Sequence, residues 1–508
     1  MSRGKYILRR ASLPELFAPQ VYGFTGIIPQ EEQNVSEIGI FVDFGSTYTK
    51  VTAIDLDEEI IVGQGRAEST VRTDLTIGLN SAVEQLEQEA HKKCVDASRL
   101  RLACSSAAGG LRLIVIGLVP SLSLSAGRMA ALGAGAKLVG NYSYKLNQSE
   151  VKEIAGLAPD IILLVGGTDG GNEEVILHNA RALAESGILA PVVMAGNKVC
   201  ADEIRRLLET DQRLVKVVDN VLGELDKLNV EASRAAIREV FMQRIVHAKG
   251  LDKAEQLVDS VIMPTPMAVL KGAQLLSKGT PKEQGLGELI VVDIGGATTD
   301  IHSLADGYPK SDNVGRKGIP EPFAKRTVEG DLGLRFNALS ILEAAGEQRL
   351  LENIKLESPV SIEERVKYLA ENTGAVPADD HDFWLDIGLA RVATEMAVER
   401  HAGHLEQIYS PYGVSFTQVG KDLTEVKTVI GTGGIFASGR QPLLILKGAL
   451  FTEKEPLSLR PKSPEFFIDG HYILYAIGLL SEKEPEKALR IGKKYLRKCQ
   501  ELMAQSTF

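Results

Sequence analysis

The feature that most constrains this chain is a hairpin written twice. Residues 38–51 read IGIFVDFGSTYTKV, and residues 291–301 read VVDIGGATTDI. In both, an apolar strand ends at Asp, passes through Gly and small hydroxyl-bearing residues, and leaves as a second strand. Gly reaches turn conformations closed to other residues, and successive backbone N–H groups in such a turn make an anion-binding nest. Asp, Gly, Ser and Thr are equally the ordinary residues of a polar β-turn. Either hairpin alone therefore fits two readings, a phosphate site or a simple turn.

The surrounding sequence is that of a large α/β protein. A chain of 508 residues exceeds one core and implies about two to four domains or subdomains. The pattern predicts an irregular N-terminal extension over 1–36, a first lobe over 37–286 and a second over 287–508. Within the first lobe, strands and helices alternate cleanly over about 150–218, which reads as an inserted α/β segment. Helices are expected at about 73–91, 231–247, 266–277, 330–346, 361–371, 384–408 and 485–503. The Gly-rich stretch 279–287 marks the boundary between halves.

Composition excludes several classes. A formal net charge of −10 argues against nonspecific nucleic-acid binding. The four cysteines, Cys94, Cys104, Cys200 and Cys499, form no CxxC pair, which argues against a disulfide scaffold or a zinc ribbon. No run is long and apolar enough for a membrane span, and no secretory signal follows the basic N-terminus, so a cytoplasmic location is expected.

In the first hairpin the backbone of Gly45, Ser46 and Thr47 forms the candidate nest, Lys50 adds positive charge, and Asp43 is placed to hold a divalent cation through water. The second hairpin offers Asp293 for the cation, with Gly295, Gly296, Ala297 and Thr298 for phosphate. A third piece, Gly431-Thr432-Gly433-Gly434, follows an apolar strand, and such a turn lets a flat base and its ribose lie on bare backbone. Asp169, in VGGTDGG, is a weaker acid candidate, since it equally suits a helix-capping turn. His401 and His404 are spaced three apart on the expected helix, without a partner suggesting metal.

The linear order of two Asp–Gly hairpins and then GTGG resembles the actin, Hsp70 and sugar-kinase superfamily. That resemblance implies two ribonuclease H-like lobes clamping ATP and Mg²⁺, with Asp43 and Asp293 as catalytic and metal-holding carboxylates. The stretch SVIMPTPMAVLKGAQ resembles a chaperone segment in which an acidic residue positions the attacking water; that position is Met263 here, which implies slow hydrolysis at most. By the same resemblance, Glu329 in TVEGD falls where a ribose hydroxyl is bound.

Longer segments narrow the resemblance. VDFGSTYTKVTAID, ACSSAAGGLRLIVIGLVP, APDIILLVGGTDGGN and RTVEGDLGLR are similar to the MutL family, the accessory ATPases of glutamate (methylaspartate) mutase. This implies a reactivating chaperone that uses ATP-driven lobe closure on subunits of an adenosylcobalamin-dependent mutase. No tightly bound cobalamin is implied in this chain, and a homo-oligomer stays open. Rival readings are a small-molecule kinase, a non-enzymatic actin-like scaffold, and a dehydratase activator, the last lacking the cysteines its cluster needs.

Overall fold

The computed structural model describes residues 37–45, 47–70, 74–106, 111–248, 259–352, 361–411, 413–437 and 440–499. The N-terminal extension, Ser46 and the last residues of the expected C-terminal helix fall outside them. The first half contributes strands β1 (Ile38–Phe44), β2 (Tyr48–Asp55), β3 (Ile60–Glu68), β4 (Ser98–Ser105), β5 (Arg112–Gly117), β6 (Lys137–Ser143), β7 (Ile161–Leu164), β8 (Val192–Met194), β9 (Val215–Val217) and β10 (Ser260–Pro264). The second half contributes β11 (Leu289–Ile294), β12 (Thr299–Leu304), β13 (Val314–Lys317), β14 (Ala324–Glu329), β15 (His404–Ser410), β16 (Gly413–Val419), β17 (Thr428–Thr432), β18 (Glu465–Asp469) and β19 (Leu496–Lys498).

Two of the four sheets share one topology. The first runs β10-β4-β1-β2-β3 and the second β14-β12-β11-β17-β18-β19. In each, the hairpin strands are antiparallel and two later strands, β4 and β10 or β17 and β18, add in parallel on the other side of the hairpin's first strand; β19 then joins β18 antiparallel. Both faces of these central strands are covered, so β1 is buried at every position. Alternation divides the side chains: Ile40, Val42 and Phe44 enter one core, while Phe41 enters another. Likewise Ile290, Val292 and Ile294 pack outward, and Leu289 and Val291 pack inward with Phe41.

The shared inward core is built on two helices, Thr265–Lys278 and Leu474–Leu480, which cross in close contact. At the crossing both helices carry glycine. A Cβ on Gly478 would overlap the Ala268 carbonyl, and one on Gly272 would meet the Leu474 carbonyl. Met263, at the end of β10, is 0% exposed in this same core. An acid there would face apolar side chains rather than water.

The third sheet is the all-parallel β6-β5-β7-β8-β9. The segment at about 150–218 supplies three of its strands; β5 and β6 precede residue 150, so the parallel layer starts at Arg112. The fourth is the small sheet β13-β16-β15. The helix expected at 384–408 runs Asp380–His401 instead, and His404 opens β15. The cause is tertiary: Gly403 donates to the Lys421 carbonyl at 2.7 Å, and its Cα lies against the end of β16, where a helix cannot continue. The expected helix at 330–346 is shifted to Ala338–Leu351, because residues 332–337 are committed to bracing the second hairpin. The C-terminal helix ends at Tyr495, and Leu496–Lys498 pair with β18.

Replacing Gly by Ala inside a helix normally stabilises by roughly 0.5–1 kcal/mol. At Gly478 the clash with backbone outweighs that gain, since overpacking costs about 1–3 kcal/mol. Gly478→Ala is therefore expected to lower the melting temperature. Gly156→Ala is the control, because a Cβ there meets nothing within 4 Å, and it is expected to leave the melt unchanged or raised.

Candidate functional site

The two hairpins are built alike. Gly45 N–H donates to the Tyr48 carbonyl at 3.1 Å, and Gly295 N–H donates to the Thr298 carbonyl at 2.9 Å. Gly45 has no spare room, since a Cβ there would press on the Tyr48 carbonyl, whereas one on Gly295 would stand 3.2 Å from the Thr298 carbonyl. The residues opposite the aspartates differ. Asp43 is paired across the strands with Lys50, whereas Asp293 is paired with Asp300. One hairpin thus sets a lysine across from its aspartate where the other sets a second carboxylate.

Asp43 is 2% exposed and accepts a hydrogen bond from Thr265 Oγ1 at 2.6 Å. Burial pushes its carboxyl up, against the opposing pull of Lys50 and Thr265. Burial pushes the Lys50 ammonium down, while Asp43, Asp293 and Asp469 hold it up. Its Nζ lies 3.2 Å from the centroid of the Tyr472 ring, a cation–π contact. Asp293 is pushed up to about 7, first by burial and then by Asp300. Lys50 acts on Asp293 as well as on Asp43, so the lysine of one hairpin lies within electrostatic range of the aspartate of the other.

The second hairpin's loop is braced from below. The Gly296 carbonyl accepts from the N–H groups of Arg335 and Phe336 at 2.9 and 3.0 Å, and the Ala297 carbonyl accepts from Asn337 Nδ2 at 2.8 Å. Arg335 is itself held by a two-pronged pair to Asp386 at 2.8 and 2.7 Å. With the carbonyls fixed this way, the N–H groups of Gly296 and Ala297 have no acceptor among the described residues. That is a preset pair of donors suited to an anion.

The glycine turn packs onto the same place. Thr432 is in register with Asp293, and Gly433, at φ 107°, lies so close that a Cβ would overlap the Ile294 carbonyl. Thr432 Oγ1 donates to Asp469 Oδ2 at 3.1 Å. Asp469 also accepts from the N–H groups of Ile473 and Leu474 at 2.9 and 2.8 Å, capping the second crossing helix. Asp469 and Tyr472 belong to no motif in the sequence, and Thr265, inside SVIMPTPMAVLKGAQ, is not singled out by that stretch. Only the parallel register of β17 and β18 makes Asp469 a neighbour of Thr432.

The other sequence candidates lie further out. The Glu329 carboxylate accepts from Arg400 at 2.8 Å, and Arg400 also grips Asp331. Asp169 accepts from Lys198 N–H at 3.1 Å and Asn220 Nδ2 at 3.0 Å, within the loops of the parallel sheet. His401 is buried and bonded to Thr327 and Ser303, both at 2.8 Å, and burial drives its pKa far down, so it is a neutral core residue. His404 is not on the helix with it and is exposed.

Twin sheets of one topology, two crossed helices and three converging turns define the two-lobed actin-like fold with ribonuclease H-like lobes. The chain belongs to the MutL protein family, whose model matches residues 39–496. It is 50% identical over 459 residues to Protein MutL of Clostridium tetanomorphum, covering 90% of this chain and 99% of that protein. Among solved structures, nucleotide-free acetone carboxylase aligns at TM-score 0.39 and 13% identity, over 88% of this chain and 70% of that one. The ethanolamine utilization protein EutJ of Carboxydothermus hydrogenoformans aligns at 0.29 and 10%, over 89% of both. These shapes are too distant to bear on function. No described helix is long and apolar enough to cross a membrane.

The raised Asp293 carboxyl has a consequence for stability. Its pKa is about 7 folded against 3.8 as the ordinary value. The folded state therefore holds a proton that the unfolded chain gives up, and stability falls as pH rises from about 4 to 7. The ceiling on this loss is ~4 kcal/mol, from 1.36 kcal/mol per pKa unit. Asp293→Asn is expected to raise the melting temperature of the ligand-free protein at pH 8 and to leave it nearly unchanged at pH 4. A melt indifferent to the substitution at both pH values would contradict this.

Proposed function

We propose that this protein binds ATP with Mg²⁺ between its lobes and uses the resulting lobe movement as a reactivating chaperone for an adenosylcobalamin-dependent mutase, the glutamate mutase type. The observation that carries the nucleotide reading is that both hairpins send their aspartates to the inward side of the twin sheets, with Thr432 of the glycine turn in register with Asp293. The residues suit the group. Lys50, Thr47 and the bare N–H groups of Gly296 and Ala297 offer donors to phosphate, while the Gly45 N–H is spent inside its own hairpin. Asp43 and Asp293 offer carboxylates for a hydrated cation, and in the glycine turn the exposed Gly434 offers backbone for the nucleoside. Bound Mg²⁺ would neutralise phosphate charge; the protein groups orient the phosphates and hold the lobes at a set separation.

Switching requires that nucleotide bind one lobe arrangement better than another. A shift from 1:99 to 99:1 takes ~5.5 kcal/mol of differential binding. Charge-assisted hydrogen bonds made from both lobes to one ligand are of the right size to supply it. Met263, buried in the core, favours slow hydrolysis and a role in binding and release. The mutase as partner rests on membership of the MutL family and on the family resemblance in the sequence.

Isothermal titration with MgATP is expected to show one site per chain, lost in Asp293→Ala; unchanged affinity in that variant would remove the phosphate-clamp assignment. The same preparations, added with ATP to cobalamin-inactivated glutamate mutase, are expected to restore activity only with the wild type. Recovery equal with and without ATP, or ATP-dependent phosphorylation of a small acid instead, would overturn the chaperone reading.

A further inference from the structure

Alternation along β12 sets Asp300, His302 and Leu304 on one face, the face that Leu289 and Val291 of β11 share in the inward core. Asp293 lies on that face too, since it is the cross-strand partner of Asp300. The three side chains Asp293, Asp300 and His302 can each bring one ligand atom within 4.8 Å of the other two. Asp300 and His302 are 6% and 0% exposed, while Asp293 is only half-buried.

The bonding of this cluster is incomplete in a particular way. Arg326 Nη2 donates to Asp300 Oδ2 at 3.1 Å and is itself held by the Leu132 carbonyl, through Nη1, at 3.0 Å. Asp300 Oδ1, on the other side of that carboxylate, has no partner among the described residues. Neither ring nitrogen of His302 has one either. A fully buried imidazole without a hydrogen bond costs about 1–3 kcal/mol. His302 is not a core histidine of the ordinary kind; His401, at the end of the helix packed on the opposite face of β12, uses both nitrogens on Thr327 and Ser303.

We propose that Asp293, Asp300 and His302 form a binding site for a divalent first-row transition ion of the Mn²⁺, Co²⁺ or Zn²⁺ class, ligated directly by the imidazole. Two carboxylates and one imidazole, with positions left for water, suit such ions, whereas Mg²⁺ prefers oxygen ligands alone. Arg326 is the outer-shell group that fixes Asp300 with its second oxygen free. A metal-bound imidazole usually donates its remaining N–H to an acceptor; His302 has no such acceptor among the described residues, so the ion is expected to exchange rather than stay permanently. All three ligands belong to the second lobe. The site is therefore complete without nucleotide, and its failure would leave the ATP reading untouched.

The test uses the full chain without nucleotide. Titration with Co²⁺ is expected to saturate at one ion per chain, with a visible d–d spectrum. His302→Leu is expected to weaken binding by more than about 100-fold, beyond the loss seen when only an outer-shell partner is removed. Because His302 is buried, the melt of each variant is measured alongside, and Asp300→Asn provides a second route to the same loss. Pulsed EPR of bound Mn²⁺ is expected to show coupling to a directly coordinated imidazole nitrogen, absent in His302→Leu. No stoichiometric Co²⁺ binding, equal affinity in folded His302→Leu, or Mn²⁺ spectra with oxygen ligands only would each overturn the proposal.

Discussion

Everything at the site depends on how closely two helices can cross. Gly272 and Gly478 let the backbones of Thr265–Lys278 and Leu474–Leu480 touch, so the two main sheets share one inward core. Each helix also begins at the site. Thr265, the first residue of one, donates to Asp43; Asp469, just before the other, holds Thr432. The second helix reaches across the lobes, with the Tyr475 hydroxyl 3.2 Å from the Phe41 carbonyl. A change in the crossing therefore moves Asp43, Thr432 and the ring over Lys50 together.

The charges at the two hairpins do not balance. Asp43, Asp293, Asp300 and Asp469 are gathered about Lys50 and Arg326, and burial works against ionisation of Asp43, Asp293 and Asp469. Buried carboxylates outnumbering their cations destabilise a folded chain unless something positive joins them. The first hairpin answers this internally by setting Lys50 opposite Asp43. The second sets Asp300 opposite Asp293, and Arg326 satisfies only one oxygen of the pair. The asymmetry between otherwise matching hairpins points to unlike tasks for the two lobes.

Much of this was legible in the sequence, and the rest was hidden for definable reasons. The hairpins, the Gly-rich turn and the helix Ile362–Glu371, with Ser361 as its cap, follow from local rules. Period-two alternation would have placed His302 beside Asp300, but a single imidazole in an apolar strand gives no local signal. Asp469 could not be found, because its role comes from strand register across distant segments. For the same reason β5 was separable from the first sheet only once its neighbours β6 and β7 were seen. The helix ending at His401 was overruled by Gly403 fitting against β16, a contact between segments that no helical pattern records.

The central claim is that nucleotide couples the two hairpins and so moves the lobes about the glycine crossing. It is tested most directly by the distance between spin labels placed at Lys93, in the first lobe, and Val376, in the second, both exposed. With MgATP at saturation, confirmed by calorimetry, the distance distribution is expected to shift and narrow. An unchanged distribution with nucleotide bound would contradict the account.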